Sequence, residues 1–177
     1  AIIALSAIGH FVPEVMGLGT STVLGAVSGE YVLYFALIIL IGKILATSVS
    51  LGFGFFGGVF SPALLVGASA GAVVAELFVV VGFLEKFEPA LVVSGMAAVT
   101  GAVIGAPLCM VVIVMELTSS YIYALASLVG LTLSVSLSHI LFGASYFDRQ
   151  LGARGIDIST GRSVSYTHLR AHETSKH

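Results

Sequence analysis

Leu51-Gly52-Phe53-Gly54-Phe55-Phe56-Gly57-Gly58-Val59-Phe60-Ser61-Pro62 is the stretch that decides the fold. Gly52, Gly54, Gly57 and Gly58 are too dense for regular helix, because a helical glycine costs about 1 kcal/mol relative to alanine. Yet the stretch is too aromatic for an ordinary aqueous loop. It reads as non-helical backbone at membrane depth, which is tolerated only where protein buries it or where it lines a watery cavity.

The surrounding residues agree with a lipid setting. Of 177 residues, 58% are hydrophobic and 9% charged, whereas a soluble domain carries about 25% charged residues. The formal net charge is -2 and the charges are scattered, so no basic patch points to nucleic acid. Cys109 is the single cysteine, which excludes an intrachain disulfide and a four-cysteine metal site. Its neighbours Pro107, Leu108, Met110 and Val111 predict a buried, inert thiol.

Upstream of the glycines, Tyr31 to Ser48 predicts a transmembrane helix with Lys43 as its one charge. Residues 1–12 are apolar but too short to span alone, and Pro13 with Gly17-Leu18-Gly19 breaks them before a short helix near 21–27. The chain opens in this apolar run with no basic n-region, and so reads as a cut through a longer protein. Downstream, a second long helix is predicted from Phe60 to Phe83, with Pro62 in its first turn, where a missing N–H costs nothing. A polar link at 85–89 follows. Residues 90–118 predict two helices broken near Gly105-Ala106-Pro107. Tyr121 to Phe142 is the last span, followed by a short helix over 145–153. From Ser159 the chain is polar and aperiodic, and Ser165 to Thr174 looks like a sequencing-adaptor read-through. Two regions are therefore assigned: a transmembrane unit over 1–158 and a disordered, non-native tail over 159–177. Spans of unequal length with breaks are typical of transporters built from discontinuous helices.

The chemistry follows from Gly57-Gly58-Val59-Phe60-Ser61-Pro62. Glycines let backbone approach a ligand closely. The first four N–H groups of the helix beginning near Phe60 have no internal partner, and the helix dipole adds about half a positive charge there. A helix N terminus at membrane depth is an anion site made of backbone, favourable enough for an ion to enter and weak enough for it to leave. From spacing alone, the bland reading, glycines that merely let helices pack, is preferred to this one.

That block resembles the G-x-F-x-P signature of the CLC family of chloride channels and chloride/proton exchangers. Gly42-Lys43 with Thr47-Ser48, then Gly101 to Tyr121 with Ala106-Pro107-Leu108 and Glu116-Leu117-Thr118, and then Ser145-Tyr146 with Leu151 and Arg154-Gly155-Ile156 follow in the family's order. The resemblance covers nearly all of 1–158. It implies an all-α, multi-pass membrane fold with broken and re-entrant helices, of which this chain is the carboxy-terminal half of an inverted repeat. It implies that the amides of Val59 and Phe60 coordinate a central chloride, that the Tyr146 hydroxyl donates to the same ion, and that Gly57, Gly58, Ser61 and Pro62 form the surrounding loop. A phenol suits the role, being a neutral donor. The family's G-S-G-I-P and G-K-E-G-P stretches do not occur here, so the gating glutamate, the site serine and the inner glutamate of exchangers would lie in an amino-terminal half. This chain alone is not expected to complete a pathway. The implied partners are chloride, the bilayer, that other half, and a second copy meeting residues 104–140. Channel and exchanger stay open alternatives.

Other residues carry blander readings. Glu116 is an intramembrane acid and so a functional candidate, but the polar Thr118-Ser119-Ser120 beside it favours an interfacial, structural role. Glu76 is unassigned. Lys43 is expected to snorkel or to bind a carbonyl rather than an anion. His10 and His139 are lone histidines, and neither a metal nor a cofactor is expected. The Gly67/Gly71 and Gly101/Gly105 pairs predict close helix contacts. Arg149, Arg154 and Arg162 place the carboxy-terminal end in the cytoplasm. An intramembrane enzyme is disfavoured, because Ser61 has no evident base; a non-conducting membrane module is the remaining alternative. The anion reading expects Val59, Phe60 and Tyr146 to converge.

Overall fold

The computed structural model describes residues 2–55, 57–83, 89–143, 145–153 and 155. These are helical, with no strand among the described residues: α1 (Ile2–Phe11), a 3-10 turn at Pro13–Val15, α2 (Thr20–Val27), α3 (Leu33–Gly52), α4 (Phe60–Val80), α5 (Pro89–Ile104), α6 (Pro107–Thr118), α7 (Tyr121–Phe142) and α8 (Tyr146–Ala153). By length and composition α3, α4 and the stretch opening with α7 can cross a membrane, while α5 and α6 are shorter apolar helices. The all-α, broken-span architecture predicted from sequence is therefore present. The proposed link at 85–89 lies outside the described residues except for Pro89, which opens α5, and the tail assigned to 159–177 lies outside them entirely.

Helix ends are set by local chemistry. At the end of α3, Gly54 takes φ +78°, its N–H donates to Leu51 O at 3.0 Å and the Phe55 N–H to Ser50 O at 3.0 Å. This is a Schellman stop, in which a left-handed glycine satisfies the last carbonyls. Gly82 repeats it for α4 at φ +79°, with Phe83 N–H donating to Phe78 O at 2.8 Å and the two rings in contact at 5.3 Å. That is why α4 ends at Val80 rather than running to Phe83, as the apolar run predicts. Between Ile104 and Pro107 the chain breaks as expected: Pro107 opens α6 after Gly105 closes α5 with its N–H on Gly101 O at 2.9 Å.

The helices pack in a chain of neighbours, with α4 on α5 and α5 on α7 the most extensive pairs and α3 on α4 next. The α4–α5 crossing is nearly backbone to backbone. A Cβ at Gly67 would strike Gly95 O and Met96 Cα, and one at Gly71 would lie 2.5 Å from Leu91 O. Such approach is possible only without side chains on both faces. The Gly101/Gly105 pair works differently. Gly101 receives the Leu131 side chain of α7, whereas Gly105 is a turn residue beside Ser145. Buried Ala26, Ala36, Ala68, Ala72, Val73 and Val92 fill the space between α2, α3, α4 and α5. Val93, Ala97, Met110, Val114 and Leu131 fill that between α5, α6 and α7.

Outer faces stay apolar. Leu108, Leu117, Ile122 and Leu133 are all exposed, as lipid or another subunit requires of a membrane chain. Cys109 belongs to this surface: it is exposed, not buried as its apolar neighbours predict. The reason is that hydrophobic neighbours mark burial from water, which lipid supplies as well as protein does.

Candidate anion site

Val59 is the N-cap residue of α4, in αR conformation at φ -83° and ψ -17°, and no side chain caps the helix. Asp or Ser at this position would occupy the free N–H groups; valine cannot. The helix therefore presents its first-turn amides and its dipole without an internal anion. Gly57, Gly58, Val59 and Pro62 line a cavity of about 380 Å³ whose other walls are α3, through Lys43, Thr47 and Ser50, and the α1–α2 connection, through Met16 and Gly17.

The glycines before the cap face open space. A Cβ at Gly57 or Gly58 would meet no described atom within 4 Å, and neither residue has positive φ. Helix packing accounts for Gly67, Gly71 and Gly95 but not for these two.

Polar groups around the cavity are mostly spoken for. Lys43 is buried, and its Nζ donates to Val15 O at 2.7 Å and Gly17 O at 3.0 Å, the carbonyl role that its place in an apolar helix suggests. The Ser61 hydroxyl donates to Leu18 O at 2.6 Å. Its proton is committed to a carbonyl, so Ser61 is no free nucleophile. The Ser50 hydroxyl donates to Ala46 O at 2.8 Å. What remains to meet an incoming anion is backbone, together with the Thr47 hydroxyl of α3 on the same wall.

Tyr146 lies elsewhere. It opens α8, which packs on α5, and lines a second cavity of about 400 Å³ with Ala102, Ser138 and Phe142. Arg149 is on the same wall, its guanidinium 5.6 Å from the Phe142 ring centre. The start of α8 is fixed by a capping box: Ser145 Oγ accepts from the Asp148 N–H at 3.3 Å, and Asp148 Oδ2 accepts from the Ser145 N–H at 3.4 Å and from its hydroxyl at 2.8 Å. Val59 and Tyr146 are thus placed on different cavities. Phe60 is 42% exposed, and its ring is not part of the wall around Val59. Glu116 is exposed near the end of α6, and Glu76 is half-buried.

The sequence reading did not anticipate the α1–α2 connection as a wall of the first cavity. Its signal was present in the turn residues Pro13, Gly17 and Gly19, but nothing local says which helix a turn will face.

The described residues thus define an all-α chain with three helices long and apolar enough to cross a membrane. This chain belongs to the voltage gated chloride channel family, whose model matches residues 1–139. It is 35% identical over 106 residues to an uncharacterized protein of Methanocaldococcus jannaschii, covering 60% of this chain and 25% of that protein. It is 30% identical over 141 residues to a putative chloride channel protein ClcB-like of Ralstonia nicotianae, covering 79% of this chain and 33% of the relative. With the H(+)/Cl(-) exchange transporter ClcA of Vibrio cholerae it shares 29% over 143 residues, 80% of this chain and 30% of the relative. The chain spans a quarter to a third of the length of these relatives.

Proposed function

We propose that this chain is the carboxy-terminal part of a protein that moves chloride across a membrane, by channel conduction or by chloride/proton antiport. The uncapped α4 N terminus carries the reading: Gly57, Gly58 and Val59 open on a cavity, and among the described residues nothing packs on a Cβ position at either glycine. In that role the amides of Val59 and Phe60 hold the anion while Gly57, Gly58, Ser61 and Pro62 shape its approach. Partial charges bind an ion without trapping it. Relatives named as H(+)/Cl(-) exchange transporters support the same reading. The protein then acts by transport and not as an enzyme, with its carboxy-terminal end in the cytoplasm and a second copy against the α6–α7 face. The Tyr146 hydroxyl would join the ion in the complete assembly.

The test is flux from the complete protein in liposomes, with chloride efflux and external pH recorded together. Efflux with stoichiometric proton movement means antiport; efflux alone means a channel. Tyr146→Phe removes only the hydroxyl, and unchanged chloride affinity would take Tyr146 out of the site while leaving the α4 amides in it. A well-folded protein without anion flux would favour the second reading, a non-conducting membrane module that needs a partner half or subunit. The separation of Val59 and Tyr146 onto two cavities is the observation on that side.

A further inference from the structure

The connection between α1 and α2 faces the α4 N terminus across the first cavity, and side chains from three helices tie it down. From α3, buried Lys43 donates to Val15 O at 2.7 Å and Gly17 O at 3.0 Å. From the first turn of α4, Ser61 donates to Leu18 O at 2.6 Å. From α2, buried Thr22 donates to Glu14 O at 3.0 Å. The connection is too irregular to satisfy these carbonyls itself. Its 3-10 turn uses only the Val12 and Pro13 carbonyls, through the N–H groups of Val15 and Met16. Val15 is 1% exposed, so its carbonyl has little access to water if Lys43 withdraws. At the far end, Gly19 sits at φ +71° with a would-be Cβ 2.7 Å from Leu65 Cδ2, so α4 also fixes the connection through its own side chain.

We propose that Lys43 is a positioning residue for the anion site. It holds the Pro13–Gly19 strap against α3, and the strap holds Ser61, and with it the α4 first turn, in the orientation that presents the Val59 and Phe60 amides. The inference rests on the reading of that helix end as the anion site. Two of the three ammonium donors are spent on carbonyls, which fixes Nζ at the strap. A direct charge–anion contact is the competing role, and the strap's other tethers distinguish the two, because Thr22 is neutral and does not line the cavity.

The experiment measures chloride binding by calorimetry and the thermal midpoint by a melting scan, on the complete protein in detergent. The variants are Lys43→Met, Lys43→Arg, Thr22→Val and the Lys43→Met/Thr22→Val double. Lys43→Met should weaken chloride binding about tenfold or more, as expected for losing bonds from a charged donor. Lys43→Arg, which keeps the donors, should recover part of the loss. Thr22→Val should weaken binding in the same direction. The double variant should lose less than the product of the two, since both release one strap. A merely structural role would lower the thermal midpoint and leave the affinity of the folded protein unchanged; that result overturns the inference. So does a wild-type chloride affinity in Thr22→Val beside a weakened Lys43→Met, which would assign Lys43 a charge role. If Lys43→Met does not fold, Thr22→Val and Lys43→Arg decide by the same criteria. Wild-type protein that binds no chloride overturns the anion reading itself and this inference with it.

Discussion

Gly58 is the residue at which packing and the proposed function separate most cleanly. Among the described residues a methyl group there meets no atom beyond its chain neighbours, so Gly58→Ala should leave the thermal midpoint near wild type. It should nevertheless weaken chloride binding by roughly ten- to a hundredfold, the worth of one charge-assisted hydrogen bond held off by a methyl group. Calorimetric titration of the complete protein checks this, and unchanged affinity would remove Gly58 from the site. Tyr31, between α2 and α3, gives a pH test. Burial first, then the carboxylates of Glu30 and Glu14, hold its phenol above the ordinary value of 10.0. The folded state therefore keeps a proton that the unfolded chain begins to lose. This contribution is whole below pH about 10 and disappears as pH rises through the folded pKa. Melting scans from pH 8 to 11 should show Tyr31→Phe losing less stability at the alkaline end than wild type. At this scale the sequence was legible where local backbone sets where a helix starts. The start of α4 at Phe60 could be read from Pro62 in its first turn. The partners of Lys43 and Ser61 could not, because their bonds reach 28, 26 and 43 positions along the chain.

Among the elements, α4 is the one that serves two purposes. Its first turn faces the cavity, and its middle is pressed against α5 through Gly67, Gly71 and Gly95. A side chain in that middle has only backbone to displace. Gly67→Ala should destabilise the protein by about 1–3 kcal/mol, the usual cost of overpacking. Gly52→Ala, at the end of α3 with open space around it, should not. Paired melting curves test the contrast, and equal effects would mean that the crossing is loose enough to yield. The helix list itself was largely readable. Apolar runs gave the spans, and Pro107 gave the break. Ends were less readable where aromatic residues follow the stop, since Phe83 belongs chemically to α4 yet lies beyond it as the contact that closes the Schellman turn.

For the whole molecule, the question is what covers the outer face of α6 and α7. Leu108, Val112, Leu125, Val129 and Leu133 are each at least 60% exposed. An apolar surface of this extent does not face water in a stable protein. Cys109 sits within it, on the first turn of α6, and is the chain's one thiol. A thiol reacts with a charged reagent only where water admits the reagent and stabilises the thiolate. In a complete protein whose only thiol is Cys109, a charged thiosulfonate added to either side of the bilayer should label slowly. The same protein unfolded in detergent should label at once. Fast labelling in the membrane would mean that this face opens on water, and neither lipid nor a second subunit could then be its cover. Slow labelling separates those two covers when repeated with an uncharged, lipid-soluble maleimide. Lipid admits that reagent to Cys109, whereas a tightly packed subunit excludes it, and the reaction should speed up on dilution into monomers.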